Sequence, residues 1–119
     1  MPDRLMKEDI DKAVYASMLY DFYGSLLSDS QNEVTALYHE DNLSLAEIAE
    51  QIGQSRQAVH YTLKKAEKAL GAYEEKLGLV AAYERHQKLA AEALEIVENA
   101  GLAKDAADPL KRIIEKLSE

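Results

Sequence analysis

Apolar side chains recur at intervals of three and four along almost the whole chain, and no useful length of it alternates with period two. Spacings of three and four gather residues on one side of a 3.6-residue turn, whereas a half-buried strand needs alternation, so the pattern predicts an all-α chain. A first helix is expected from roughly Lys7 to Leu27, with Ile10, Val14, Met18, Phe22 and Leu26 on one stripe that Leu19 and Leu27 widen. Turn formers from Ser28 to Asn32 end it. Within them Ser30 stands three residues before Glu33, the spacing of a capping box. A second helix is therefore expected from Gln31 to about Glu40, burying Val34, Leu37 and Tyr38.

Asp41 and Asn42 break the pattern, and Ser44 with Glu47 repeats the capping arrangement ahead of Leu45, Ile48, Ala49 and Ile52. That predicts a third helix from about Leu45 to Gln51, stopped by Gly53 in a left-handed conformation. Ser55 can cap a fourth helix that starts at Arg56 and buries Ala58, Val59, Leu63, Ala66 and Leu70. Beyond it Leu63, Leu70 and Leu77 recur every seven residues with Ala66, Tyr73 and Val80 between them, a pattern that favours packing on a neighbouring helix or a second chain. Gly71 and Gly78 fall inside this run, and each costs a helix about 1 kcal/mol relative to Ala, so a bend or break is expected there.

A fifth helix is expected from Leu79 to Asn99, ending at Gly101, and a last one with Asp108 as cap and Pro109 in its first turn, burying Leu110, Ile113, Ile114 and Leu117. The chain then divides into an N-terminal helix and helix-turn-helix domain, residues 1–70, and a C-terminal helical extension, residues 71–119, that packs or dimerises. Leu70, Tyr73, Leu77 and Val80 are the candidate dimer-interface residues.

A helix-turn-helix needs a tightly packed first helix, a turn of three or four residues that often holds glycine, and a second helix with one exposed side for a groove. Ala49 has the size required where two helices cross closely, Gly53 lies in the turn, and Ile48, Ile52, Val59 and Leu63 supply a shared core. The other side of the fourth helix offers Ser55, Arg56, Gln57, His60, Tyr61, Lys64 and Lys65, which can donate to phosphates, bond to base edges or stack on an unpaired base. These seven are the candidate nucleic-acid-binding residues. Charge makes the assignment pointed. Asp and Glu number 22 against 14 Lys and Arg, giving the 119-residue chain a formal charge of -8 that repels phosphate at long range. Between Ser55 and Lys68, four basic residues stand against one acidic one, a local reversal. The alternative is a capped pair of helices serving only as scaffold.

The run from Leu27 to Leu70 resembles the helix-turn-helix of sigma factor region four. Leu27, Ser28 and Gln31 match its start, Leu37 and Tyr38 its Leu-Tyr pair, Ser44, Glu47, Ile48 and Ala49 its first helix, and Ser55, Arg56 and Val59 its recognition-helix start. A wider resemblance, carried by "LYDFYGSLLSDSQ", "SRQAVHYTLKKAE" and "YEEKLGLV", is to the YlxM-type family of small bacterial helix-turn-helix proteins, over about Met18 to Tyr83. That family is linked to the signal recognition particle, since its genes usually neighbour those for the particle's GTPase and its receptor. The resemblance implies a sigma region-four-like helical bundle, association with the particle's protein or small RNA, and homodimers, and it carries no catalytic residues. The Ala- and Glu-rich tail from Ala81 onward is weakly matched, so its role is not inherited.

Other chemistry finds little support. There is no cysteine for a disulfide or a thiolate zinc site, and His39, His60 and His86 lie outside any recognised zinc spacing, so no metal or cofactor is expected. No nucleophile elbow or glycine-rich phosphate loop occurs, so an enzyme is not expected. Neither a leader nor a membrane span is legible, and the expected location is the cytoplasm. Tyr15, Tyr20, Phe22 and Tyr23 cluster on the first helix, Phe22 and Tyr15 expected in the core and Tyr20 and Tyr23 with wet hydroxyls. Glu74, Glu75, Glu84, Glu92, Glu95 and Glu98 make the second half acidic, a solvated face or a dock for a basic partner. Three functions follow: an accessory protein of the signal recognition particle, a DNA-binding transcription regulator, and a structural helical dimer whose tail helices bury Leu70, Leu77, Val80 and Leu94.

Overall fold

The structure, a computed structural model, describes the backbone from residue 2 to residue 119 and the side chains from residue 11 onward, so Ile10 lies outside the described side chains. The described residues form α1 (Pro2–Tyr23), a single 3-10 turn (Gly24–Leu26), α2 (Asp29–His39), α3 (Leu45–Ile52), α4 (Arg56–Leu77), α5 (Leu79–Asn99) and α6 (Lys104–Leu117). They make two compact units, one ending at Gly78 and the other spanning Leu79–Glu119.

In the first unit α4 is the common support, and α1, α2 and α3 all pack on it. Val34, Ile48, Ala49, Val59 and Leu63 form the buried cluster, with Leu37, Leu43, Leu45 and Ile52 packed around it. Ile48 and Val59 are 0% exposed, and complete burial of such a side chain stabilises the fold by roughly 1.5–3 kcal/mol. Thr35 is buried beside them without penalty, because its hydroxyl donates to the Gln31 carbonyl at 2.7 Å.

Helix α1 turns a different side inward from the one its stripe predicts. Leu19, Tyr23 and Leu27 are buried, while Val14 and Leu26 are both 53% exposed. The two stripes lie side by side on the helix, and what α4 presents decides between them. The Tyr23 hydroxyl donates to Glu74 Oε1 at 2.5 Å, and its ring lies 6.0 Å from that of Tyr73. Tyr23 is thus 1% exposed and Tyr15 44% exposed, the reverse of their expected places, while Phe22 is half-buried. Tyr20 closes the corner after α1: its hydroxyl donates to Asn32 Oδ1 at 2.7 Å, and Asn32 Nδ2 donates to the Gly24 carbonyl at 2.9 Å. A Cβ on Gly24 would stand 2.7 Å from the Tyr20 ring, so only glycine fits under it.

The 3-10 turn moves the next cap forward. Ser28 rather than Ser30 caps α2, with extended backbone (φ -61, ψ 160) and its hydroxyl accepting from the Gln31 amide at 3.4 Å. Tyr38, expected inside, is exposed. Helix α4 runs through Gly71 unbroken and ends only at Gly78, so the boundary between the units lies eight residues beyond Leu70. Packing of its later turns explains the continuity, since Tyr73 donates to the Leu26 carbonyl at 3.3 Å while Glu74 holds Tyr23.

In the second unit α5 and α6 form an antiparallel hairpin, tied by Gln87 Nε2 donating to the Ser118 carbonyl at 2.6 Å and by an ion pair of Lys111 with Glu98. Helix α6 begins at Lys104, and Asp108 and Pro109 lie inside it rather than at its start. The alanines supply the earlier turn, with Ala106 and Ala107 both donating to the Ala103 carbonyl. Ile114 is half-buried, but Leu110, Ile113 and Leu117 are exposed instead of buried, because a hairpin of two helices can cover only the line where they touch. Denaturant unfolding should show Ile48→Ala destabilising the protein by about 2–5 kcal/mol, while Tyr15→Ala stays within about 0.5 kcal/mol of the parent.

Candidate nucleic-acid interface

The interface is built by three local devices that set α3 and α4 at a fixed turn. First, Ser44 Oγ accepts from the Glu47 amide and Glu47 Oε1 accepts from the Ser44 amide, both at 3.1 Å, a complete capping box. Hydrogen bonds to its carboxylate, from the Ser44 amide first and the Ser44 hydroxyl second, hold the Glu47 carboxyl below its ordinary range. Second, Gly53 takes φ 73 and ψ 36, and the amides of Gly53 and Gln54 both reach the Ala49 carbonyl at 3.0 Å. Third, Ser55 Oγ accepts from the Ala58 amide at 3.0 Å and starts α4. Ala49 is buried at the crossing, where a larger side chain would push the helices apart.

Val59, Leu63, Ala66 and Leu70 occupy the buried side of α4. Arg56, Gln57, His60, Tyr61, Lys64 and Lys65 are all exposed, on the side turned away from that row. Six of the seven candidate residues therefore stand together with exposed side chains, and Ser55 differs in using its oxygen as the cap while keeping its proton to donate. Arg56, Gln57 and His60 line a groove of about 340 Å3 with Leu45. Tyr61 is 63% exposed, with Lys65 Nζ 5.2 Å from its ring centroid. Lys64 pairs with Glu67 at 3.4 Å, but their side chains are 61% and 37% exposed, so the pair is worth under about 1 kcal/mol and Lys64 can leave it for a phosphate.

Two members of this surface have weak sequence signals. Lys68 continues the Tyr61 and Lys65 row and is exposed, which helical spacing alone would have shown. Leu45 borders the groove although its apolar character reads as core. The candidate dimer residues divide otherwise: Leu70 and Val80 are fully buried within the chain, Tyr73 and Leu94 are half-buried, and Leu77 is exposed. Leu70 and Val80 cannot meet a second copy without unpacking.

His39, the last residue of α2, stands behind this surface with its ring edge-on to Tyr38 at 5.1 Å, and its Nε2 is buried without a hydrogen-bond partner. Burial pushes its pKa below the ordinary 6.5, against the opposing pull of the Glu67 and Asp21 carboxylates. His60 and His86 are exposed. Among the described residues no three His, Asp or Glu side chains converge as a metal site, and no helix is long and apolar enough to cross a membrane.

Comparison with known proteins bears on this geometry directly. The sequence profile of the family described as "Putative helix-turn-helix protein, YlxM / p13 like" matches residues 10–113. The chain belongs to this family. A UPF0122 protein of Desulforamulus reducens is 43% identical over 105 residues, 87% of this chain and 90% of that protein. One from Symbiobacterium thermophilum is 44% identical over 87 residues, 73% of this chain and 81% of its own length. One from Bacillus cereus is 37% identical over 108 residues, 91% of this chain and 98% of its own. The YlxM/p13-like profile runs through α5 and most of α6, so the tail beyond Ala81 belongs to the family pattern, contrary to the weak match that its sequence suggested.

Two measurements test the scaffold of this family member. No atom lies within 4 Å of a Cβ built on Gly53, so Gly53→Ala should cost only the left-handed backbone term, about 1–2 kcal/mol in chemical denaturation. His39 binds its proton less readily in the folded than in the unfolded chain, so stability is present above the unfolded value and is lost as pH falls below it. The thermal midpoint should drop between about pH 7 and pH 5, and His39→Gln should flatten that part of the profile.

Proposed function

We propose that this protein is a non-enzymatic accessory factor that binds nucleic acid through α4 and acts in the signal recognition particle pathway, on the particle's RNA, its protein, or both. The observation that carries the reading is the grouping of Arg56, Gln57, His60, Tyr61, Lys64 and Lys65 on the one exposed side of a helix locked by the α3–α4 turn. In a chain of charge -8 this is where attraction for phosphate is concentrated. Lys64 and Lys65 serve as mobile phosphate donors, Arg56 and Gln57 reach base edges, and the exposed Tyr61 ring offers a stacking face. Membership of the YlxM/p13-like family supports the pathway, through the linkage that the sequence resemblance carries.

Titration calorimetry of the full chain against the particle's GTPase protein and against its small RNA should give binding with at least one of them. Lys64→Ala with Lys65→Ala should weaken RNA binding on the order of tenfold and lower the salt slope by roughly two. No heat with either component at low salt rules the reading out. The second reading, a DNA-binding regulator, is favoured by the helix-turn-helix closure and by the Leu45, Arg56, Gln57 and His60 groove. A duplex sequence enriched from a random pool, with Arg56→Ala costing on the order of 1–3 kcal/mol of specific binding, is the result it requires.

A further inference from the structure

From residue 13 to residue 55 the chain holds seven carboxylates and no Lys or Arg. Six of them, Asp29, Glu33, Glu40, Asp41, Glu47 and Glu50, stand on α2, α3 and the link between them, and all six are exposed. Glu47 lines one cleft with Lys64, so this acidic ground reaches the edge of the α4 surface. The cations of that surface, Arg56, Lys64, Lys65 and Lys68, all belong to α4 itself.

This distribution of charge decides between two forms of nucleic acid. A helix about 10–12 Å across fills a major groove about 12 Å wide, so the phosphates on the groove's rims pass over the elements beside it, the first helix of the pair above all. In this chain those elements offer phosphate no cation. A duplex carries about one charge per 1.7 Å of its axis, and the carboxylates would meet it within a screening length of about 8 Å. A single strand is narrow enough to follow α4 alone.

The exposed side of α4 suits such a strand. At about 100° per residue, Tyr61 and Lys68 each point roughly 170° away from the mean direction of Val59, Leu63, Ala66 and Leu70, straight out from the core. Gln57 precedes Tyr61 by one turn, and Lys64 and Lys65 stand to either side of it one turn later. The Tyr61 ring is 63% exposed with Lys65 Nζ over one face, which leaves room for a base on the other. Every base has a flat π face, and an aromatic platform among cations holds an unpaired strand with little regard to sequence. Inside a duplex those faces are covered by neighbouring pairs and only the edges are open, so Tyr61 would find no stacking partner there.

We infer that α4 binds an unpaired strand in preference to a duplex, with one base stacked on Tyr61 and the adjoining phosphates on Lys64, Lys65 and Lys68. The inference rests on the reading of α4 as a nucleic-acid interface and narrows it to single strands, loops and bulges.

Fluorescence anisotropy of the full chain against labelled strands of about 12 nucleotides tests it, with single-stranded RNA, single-stranded DNA of the same sequence, and the RNA and DNA duplexes of each as the four probes. At about 0.1 M salt one or both single strands should bind roughly tenfold tighter than either duplex. Tyr61→Ala should weaken single-strand binding about tenfold at an unchanged salt slope, whereas Tyr61→Phe should bind like the parent, because stacking uses the ring and not the hydroxyl. Lys68→Ala should lower the salt slope by about 0.7. Both positions are exposed, so helical circular dichroism should be the same in all variants. A duplex bound as tightly as the single strands overturns the inference and leaves α4 standing as an interface. Single-strand binding indifferent to Tyr61→Ala overturns it as well. Failure to bind any of the four probes at low salt overturns it together with the nucleic-acid reading of α4.

Discussion

Everything in the first unit depends on the burial of one row of α4. Val59, Leu63, Ala66 and Leu70 follow one another at spacings of three and four, and α1, α2 and α3 all seal against this helix. A helix that gives one side so completely to a core has its other side fixed in direction as well. The polar residues between the buried ones are held at the surface by the same packing that removes Val59 from water. The candidate interface is therefore a by-product of core formation, and its rigidity comes from the core rather than from contacts among its own side chains.

The α3–α4 turn transmits that order. Gly53 in the left-handed region, Ala49 under the crossing and the Ser44 and Ser55 caps leave the two helices little freedom to pivot. Arg56, Gln57 and His60 then meet Leu45 across a groove, although they come from opposite sides of the turn. Net charge works against the surface at a distance and the local lysines work for it nearby. Contact with a polyanion would accordingly be short-ranged and sensitive to salt, consistent with a partner delivered by other contacts as well.

The two units manage apolar surface in different ways. The first closes its cluster around Ile48 and Val59, while the hairpin leaves Leu89 and Leu117 in solvent. Uncovered leucines on a helix pair are a standing free-energy cost. The family profile takes in both units, so a YlxM/p13-like protein carries this hairpin as part of its pattern and not as an appendage.

Sequence alone determined the helix-turn-helix, because its signals are local. Ser44 with Glu47, Gly53 and Ser55 act within four residues of themselves, and the exposed side of α4 follows from helical spacing once Val59 and Leu63 are assigned inside. What needed the tertiary structure were choices between equivalent local options. Two stripes of α1 were both apolar enough to be buried, and Glu74 and Tyr73, some fifty residues away, selected the one with Tyr23. Ser28 and Ser30 were both able to cap α2, and the 3-10 turn beneath the Tyr20 ring gave the place to Ser28. Gly71 reads locally as a break, yet the packing of Tyr73 and Glu74 on α1 carries the helix past it. Propensity and spacing report what a segment can do by itself; which of its faces is covered depends on partners that the local pattern does not contain.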